Sequence, residues 1–193
     1  METPGMKAVI ANFKKYNKVV VYMPTWRDDA TDFMSIAIPD FDRLESICQK
    51  HNILFVIKAH VLTYFGVDLS KYIHITKLDS SLDMYPVLPF TDALISDYSS
   101  VIFDYSWLRK KIIFYAFDKQ AYLSKSREAY FEYEEAFGTD VTIDFEGLLK
   151  QVEEVANNTS DLIFDYPLSR SFIDNKSDMH GIVNHIKSSI NYR

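Results

Sequence analysis

The sequence predicts an α/β fold, a Rossmann-like parallel sheet with helices on both faces. Three observations predict it. Short apolar runs at residues 19–23, 53–57, 72–75, 93–96 and 111–116 are each bounded by polar or turn-forming residues, which is how strands are punctuated. The runs are nearly continuous in their hydrophobicity, as in strands covered on both faces. Stretches of helical spacing separate them, and strand–helix alternation predicts βαβ units.

The first run, Val19-Val20-Val21-Tyr22-Met23, is closed by Pro24. A helix over 41–50 follows, with Leu44, Ile47 and Cys48 on one stripe. Val101, Tyr105 and Leu108 fall at i, i+4 and i+7 and predict a helix after the fourth strand. A weaker sixth strand is read at 141–143, then a helix carrying Leu148, Leu149, Val152 and Val155. Residues 118–138 show no clear period and predict a long excursion with a short helix. Residues 178–189 read as a last helix.

The 193 residues are 48% hydrophobic, which fits one domain spanning 1–193 with a core of its own. Five Gly and six Pro leave no long flexible linker. The single cysteine, Cys48, excludes a disulfide framework and a CxxC site; it reads as an inert, partly buried thiol. A net charge of −6 argues against a nucleic-acid partner, which needs a basic face, while permitting a local anion site. No apolar run is long enough to span a membrane. The N-terminal residues lack the pattern of a signal peptide, so the expected compartment is the cytoplasm. The sequence has no HExxH, Walker A, GxSxG or GxGxxG motif. His180 and His185 lack a metal-ligand partner set, and no metal or cofactor is expected.

In an open parallel sheet, ligands bind beyond the carboxyl ends of the strands. Three such loops carry polar chemistry. After the first strand come Pro24, Thr25, Trp26 and Arg27. The Pro24-Thr25 turn offers a hydroxyl and a carbonyl to a base or ribose. Arg27 has two readings, a phosphate contact or a pair with Asp28 or Asp29. After the second strand, Lys58 and His60 are two residues apart, which on an extended strand end aims both to one side. A cation and an imidazole suit a phosphate that gains charge as a bond breaks; a structural histidine is the other reading of His60. After the fourth strand, Ser99 and Ser100 open a helix, where free N–H groups and the helix dipole favour an anion; plain capping is the other reading. His51 abuts a helix end, His74 sits in a strand, and Glu134-Glu135 and Glu153-Glu154 read as solvated faces.

Together these loops resemble a known family. Tyr22-Met23-Pro24-Thr25-Trp26-Arg27-Asp28, Lys58-Ala59-His60 and the block from Ile95-Ser96-Asp97-Tyr98-Ser99-Ser100 to Phe103-Asp104-Tyr105 occur in that order. Lys111-Ile112-Ile113-Phe114-Tyr115 and Tyr130-Phe131-Glu132-Tyr133-Glu134 follow. Over roughly 18–185 the chain is similar to the CDP-glycerol glycerophosphotransferases, the teichoic-acid polymerases and primases of bacterial cell walls. The resemblance implies the C-terminal, donor-binding half of a GT-B-like fold. It implies donor contacts at Pro24, Thr25, Arg27, Lys58, Ser99, Ser100 and Asp104, the last near the glycerol, with His60 as the catalytic residue that stabilises the diphosphate and the departing CMP. The implied partners are CDP-glycerol or a related CDP-alditol and a polymer or lipid-linked acceptor, met at the inner face of the membrane. The family's N-terminal half, with its general-base histidine, has no room in 193 residues. Either the chain is a fragment of a two-domain transferase, with that half supplied in cis or in trans, or it has lost the function; the expectation is a fragment, poorly active alone. The family's usual Pro-Gly-Pro is replaced by Ala136-Phe137-Gly138-Thr139, which bears on acceptor contacts. Two other functions remain open at this point: a GT-B half using a nucleotide-diphosphate sugar, and a non-catalytic nucleotide-binding module.

Overall fold

The computed structural model describes residues 4–27, 32–119, 141–157, 164 and 166. The described elements are α1 (Pro4–Phe13), β1 (Lys18–Tyr22), α2 (Phe33–Ala37), α3 (Phe41–His51), β2 (Ile53–Ile57) and β3 (Ile75–Lys77). A 3-10 turn (Leu88–Phe90), β4 (Ala93–Ser96), α4 (Val101–Ser106), β5 (Lys111–Phe114) and α5 (Phe145–Asn157) complete them. The strands form one sheet in the order β3-β2-β1-β4-β5, and each described pairing is parallel.

Alternation along the strands builds two cores from one sheet. Val20 and Tyr22 of β1, with Phe55 and Ile57 of β2, pack under α2, α3 and α5. Val19 and Val21, with Leu54 and Val56, pack on the other face against α1 and α4. Because both faces are covered, a period-2 pattern never appears and the strands read as unbroken apolar runs.

The helix ends follow capping chemistry. Asp40 accepts from the Arg43 N–H at the start of α3, and Asn52 ends it in the left-handed region at φ 52°, a conformation Asn tolerates. His51 lies in the last turn of α3, as expected, and meets Glu153 at 3.1 Å. Cys48 is fully buried, and burial pushes its thiol well above the usual range.

Some elements differ from expectation. The third strand lies at 75–77, not 72–75. The Ile73 and His74 N–H groups donate to the Glu45 carboxylate, so those donors go to α3, while the His74 carbonyl still accepts the Phe55 N–H at 2.7 Å where the ladder begins. The fifth strand ends at Phe114. The sixth reduces to a single parallel bridge, Thr142 to Tyr115. Helices α1 and α2 were not predicted, although Met6, Ile10 and Phe13 form a buried stripe. Glu153 and Glu154 bond Lys50 and Lys111 across neighbouring elements, where solvated faces were expected. The expected helix at 178–189, Glu134-Glu135, the 136–139 replacement and residues 120–138 of the excursion lie outside the described residues.

Candidate functional site

The chain runs β1, β2, β3 outward in one direction, then returns to place β4 on the other side of β1. The strand order reverses between β1 and β4, and at such a switch point the ligand crevice of an open α/β sheet lies at the carboxyl edge. The loops after β1 and β4 flank this crevice, and those after β2 and β5 adjoin it.

A buried clamp joins three of these loops. Arg27 is 8% exposed and Asp97 1% exposed. The Arg27 guanidinium donates to Asp97 Oδ2 at 2.7 Å, and its Nε and Nη2 donate to both oxygens of Asp118. Nη1 donates to the Thr25 carbonyl. Phe33 and Tyr98 lie over the guanidinium, 5.2 and 5.3 Å from its carbon to their ring centroids, within cation–π range. Burial alone lowers the Arg27 pKa, but hydrogen bonds and charge from Asp118 and Asp97 outweigh it and raise it. Asp97 also accepts from the Thr25 N–H at 2.8 Å and the Tyr98 N–H at 2.7 Å. Ser96 Oγ donates to the Met23 carbonyl, closing the base of the crevice.

The predicted site residues take distinct places on this frame. Pro24 is buried, and the Thr25 hydroxyl is buried without a hydrogen-bond partner. Arg27, expected at a phosphate or beside Asp28 or Asp29, which lie outside the described residues, meets Asp97 and Asp118 behind the loop surface. Lys58 and His60, expected to face one way, diverge. The strand ends at Ile57, so the period-2 rule no longer holds for them. Lys58 Nζ donates to the carbonyls of Asp79 and Ser80 in the segment after β3, and burial lowers its pKa. Two of its three donors are thereby used.

His60 is exposed, with its ring 5.9 Å from the ring of Trp26. The Leu62 N–H points at His60 Nδ1 at 3.3 Å. An acceptor at Nδ1 places the proton of the neutral ring on Nε2.

Ser99 and Ser100 do open α4, but Ser100 makes no side-chain cap. Ser99 Oγ accepts only a long 3.4 Å bond from the Val101 N–H. The helix has six residues, under two turns, so its pull on an anion comes from its first N–H groups more than from a long dipole. Asp104 is four residues after Ser100, on the same helix face, and accepts from the Tyr85 hydroxyl at 2.8 Å. Asp97, Asp118 and Tyr85 were not singled out from the sequence. Among the described residues, no group of three His, Cys, Asp or Glu side chains is placed to hold a metal ion, and no helix is long and apolar enough to cross a membrane.

The profile of the CDP-Glycerol:Poly(glycerophosphate) glycerophosphotransferase family matches residues 8–172. The chain belongs to that family. Among similar glycerophosphotransferase-family proteins, teichoic acid ribitol-phosphate polymerase TarK of Staphylococcus aureus is 32% identical over 143 residues, 72% of this chain and 28% of that protein. A teichoic acid ribitol-phosphate primase of Bacillus spizizenii is 31% identical over 145 residues, 72% of this chain and 36% of its own. A solved structure of the wall teichoic acid polymerase TagF, a variant soaked with CDPG, superposes with a TM-score of 0.66 at 25% identity, covering 96% of this chain and 48% of that one. The chain thus spans about a third or less of these curated relatives and just under half of the solved TagF chain. A UDP-N-acetylglucosamine 2-epimerase from Listeria monocytogenes, at 12% identity and a TM-score of 0.55, shares the fold alone.

Proposed function

We propose that this chain is the donor-binding part of a glycerophosphotransferase. It holds CDP-glycerol or another CDP-alditol while an acceptor hydroxyl attacks the alditol-bearing phosphorus. The acceptor oxygen–phosphorus bond forms, the bond to the CMP oxygen breaks, and CMP leaves. The proton of the acceptor hydroxyl passes to a base outside this chain, on an N-terminal half supplied in cis or in trans. The acceptor is a growing teichoic-acid or related cell-surface polymer, or its lipid-linked start, met at the cytoplasmic face of the membrane.

The observation that carries the reading is the convergence of the Pro24–Arg27, Lys58–His60 and Asp97–Ser100 loops at the switch point. Family membership and the likeness to a polymerase soaked with CDPG supply the chemistry to expect there. His60 Nε2–H donates to the diphosphate and stabilises charge on the departing CMP. Ser99 and Ser100 hold phosphate oxygens with hydroxyls and N–H groups, and Lys58 contributes its remaining donor. Arg27 acts from behind, keeping Pro24-Thr25 and Ser99-Ser100 in fixed register. Such positioning is what a transfer between two phosphate esters requires.

Thermal unfolding with CDP-glycerol, CDP, CMP and UDP-glucose at matched concentrations tests this. Ligand at about 100 times Kd adds about 2.7 kcal/mol, a rise of roughly 5–10 °C for a chain of this size. The expected result is a rise selective for cytidine diphosphates and lost in His60→Ala and Ser99→Ala. A preference for UDP-glucose would turn the reading to a glycosyltransferase half. No rise with any nucleotide would favour a non-catalytic module or a site completed only by the other half.

A further inference from the structure

The segment that follows β3 forms one wall of the candidate site, and it is braced at two points. At its start, Lys58 Nζ binds the carbonyls of Asp79 and Ser80. Asp79 also accepts from the Ser81 N–H and hydroxyl. Further on, Met84 and Val87 are buried in the second core, and the Tyr85 N–H donates to Asp83 Oδ1 at 3.0 Å. Tyr85 therefore stands on a backbone fixed on both sides. Tyr85 is 55% exposed, yet its hydroxyl donates to Asp104 Oδ2 at 2.8 Å. The bond crosses from this wall to α4, one turn beyond Ser100. Hydrogen bonding to that carboxylate raises the Tyr85 pKa, so the phenol stays a donor at neutral pH.

An exposed aspartate on a short helix has free choice of rotamer. One bond from an anchored phenol removes that choice. It leaves Asp104 Oδ1, with both lone pairs, and part of Oδ2 to accept from other hydroxyls. A carboxylate held this way suits a polyol, whose hydroxyls donate.

We propose that Tyr85 is a positioning residue for recognition of the donor's alditol, orienting Asp104 so that its carboxylate accepts from the polyol hydroxyls. This rests on the reading that Asp104 meets the alditol end of a CDP-alditol. The cytidine diphosphate end is held elsewhere, so Tyr85 governs the difference in affinity between CDP-glycerol and CDP, not the affinity for CDP itself.

Calorimetric titration of the 193-residue chain with CDP-glycerol and with CDP tests the proposal, in wild type, Tyr85→Phe and Asp104→Asn. Tyr85→Phe keeps the ring and its packing and removes only the hydroxyl. Loss of one such hydrogen bond is worth about five-fold in Kd. The expected result is that Tyr85→Phe weakens CDP-glycerol about five-fold and leaves CDP and the melting temperature unchanged, while Asp104→Asn weakens CDP-glycerol at least as much. If Asp104→Asn loses the margin between CDP-glycerol and CDP but Tyr85→Phe keeps it, Tyr85 has no such role and the contact by Asp104 stands. If wild type binds CDP-glycerol no more tightly than CDP, the alditol contact itself fails and the proposal falls with it. A Tyr85→Phe that weakens CDP and CDP-glycerol alike overturns it too, since that is the mark of a general structural defect.

Discussion

Replacing Arg27 by Met strips the charge from the clamp while keeping an apolar stem between Phe33 and Tyr98. The side chains of Arg27 and Asp97 are 7% and 0% exposed, and that of Asp118 is 20% exposed. Removing one member of a buried ion pair costs about 3–5 kcal/mol, because the other charge is left without a partner. Two features favour the low end. Asp97 keeps the Thr25 and Tyr98 N–H donors, and Asp118 has some access to water. The expected loss is therefore about 3 kcal/mol, or roughly 6–12 °C in melting temperature for a domain of this size. Scanning calorimetry with matched urea titrations measures it. Adding Asp97→Asn to Arg27→Met should recover part of the loss, since the uncompensated buried carboxylate is gone. Arg27→Lys should fall between, because an ammonium cannot span two carboxylates as the guanidinium fork does. The same Arg27→Met chain should bind CDP less tightly, with Thr25 and Ser99 no longer held in register. A loss under about 1 kcal/mol, or a double variant no more stable than Arg27→Met, would refute the clamp as the element that fixes these loops.

Two further outcomes are expected. The Tyr166 hydroxyl accepts from the Ile112 N–H at 2.6 Å and donates to the Lys110 carbonyl at 3.1 Å. Tyr166→Phe leaves that buried N–H unpaired and should cost about 1–3 kcal/mol, read from a lowered urea midpoint with unchanged slope; an unchanged midpoint would show that the bond contributes nothing. Between α3 and α5, hydrogen bonds from Arg43 lower the Glu146 pKa and those from Lys50 and His51 lower the Glu153 pKa. Because these folded-state values lie below the unfolded ones, their stabilisation is present above the ordinary Glu pKa and is lost as pH falls through the depressed values. Melting temperature should thus rise from about pH 3 to pH 5, and Glu146→Gln with Glu153→Gln should flatten that slope; an equal slope in wild type and variant would remove these carboxylates from the account.

The strands were legible because both faces of the sheet are covered, so Val19 to Tyr22 and Ile53 to Ile57 must all be apolar. The third strand begins later than the apolar run because the Ile73 and His74 N–H groups go to Glu45, a side chain on another element that local patterning does not see. The loops that approach the crevice were legible from strand ends plus polar residues. The inward members of those loops were not. Asp97 follows a fully buried strand directly, and an acid in that position needs a donor at hand. That signal was present, with Arg27 as a basic residue of the loop next door, but no spacing rule links positions 70 residues apart. Tyr85 left no trace at all, being exposed, aperiodic and paired with Asp104 only through the fold.

The three loops share a division of labour that explains why each motif is longer than its ligand contacts require. In the first, Arg27 turns inward to the carboxylates while Trp26, 36% exposed, remains at the surface against His60. In the second, Ala59 is buried between Lys58, which braces the wall after β3, and His60, which is presented outward. In the third, Asp97 is buried and Ser99 and Ser100 follow it to the surface. A loop alone is mobile and has no fixed geometry to offer a diphosphate. Binding and transfer both demand groups held in place before the ligand arrives. The inward residues supply that order, and they do so with charge at the floor of a crevice, where an apolar contact would tolerate rotation and slip. Arg27, through its planar fork, fixes the orientation of two carboxylates as well as their distance. It follows that variants of Arg27 or Asp97 should lower affinity for every nucleotide alike, whereas variants of His60, Ser99 or Asp104 should discriminate among them.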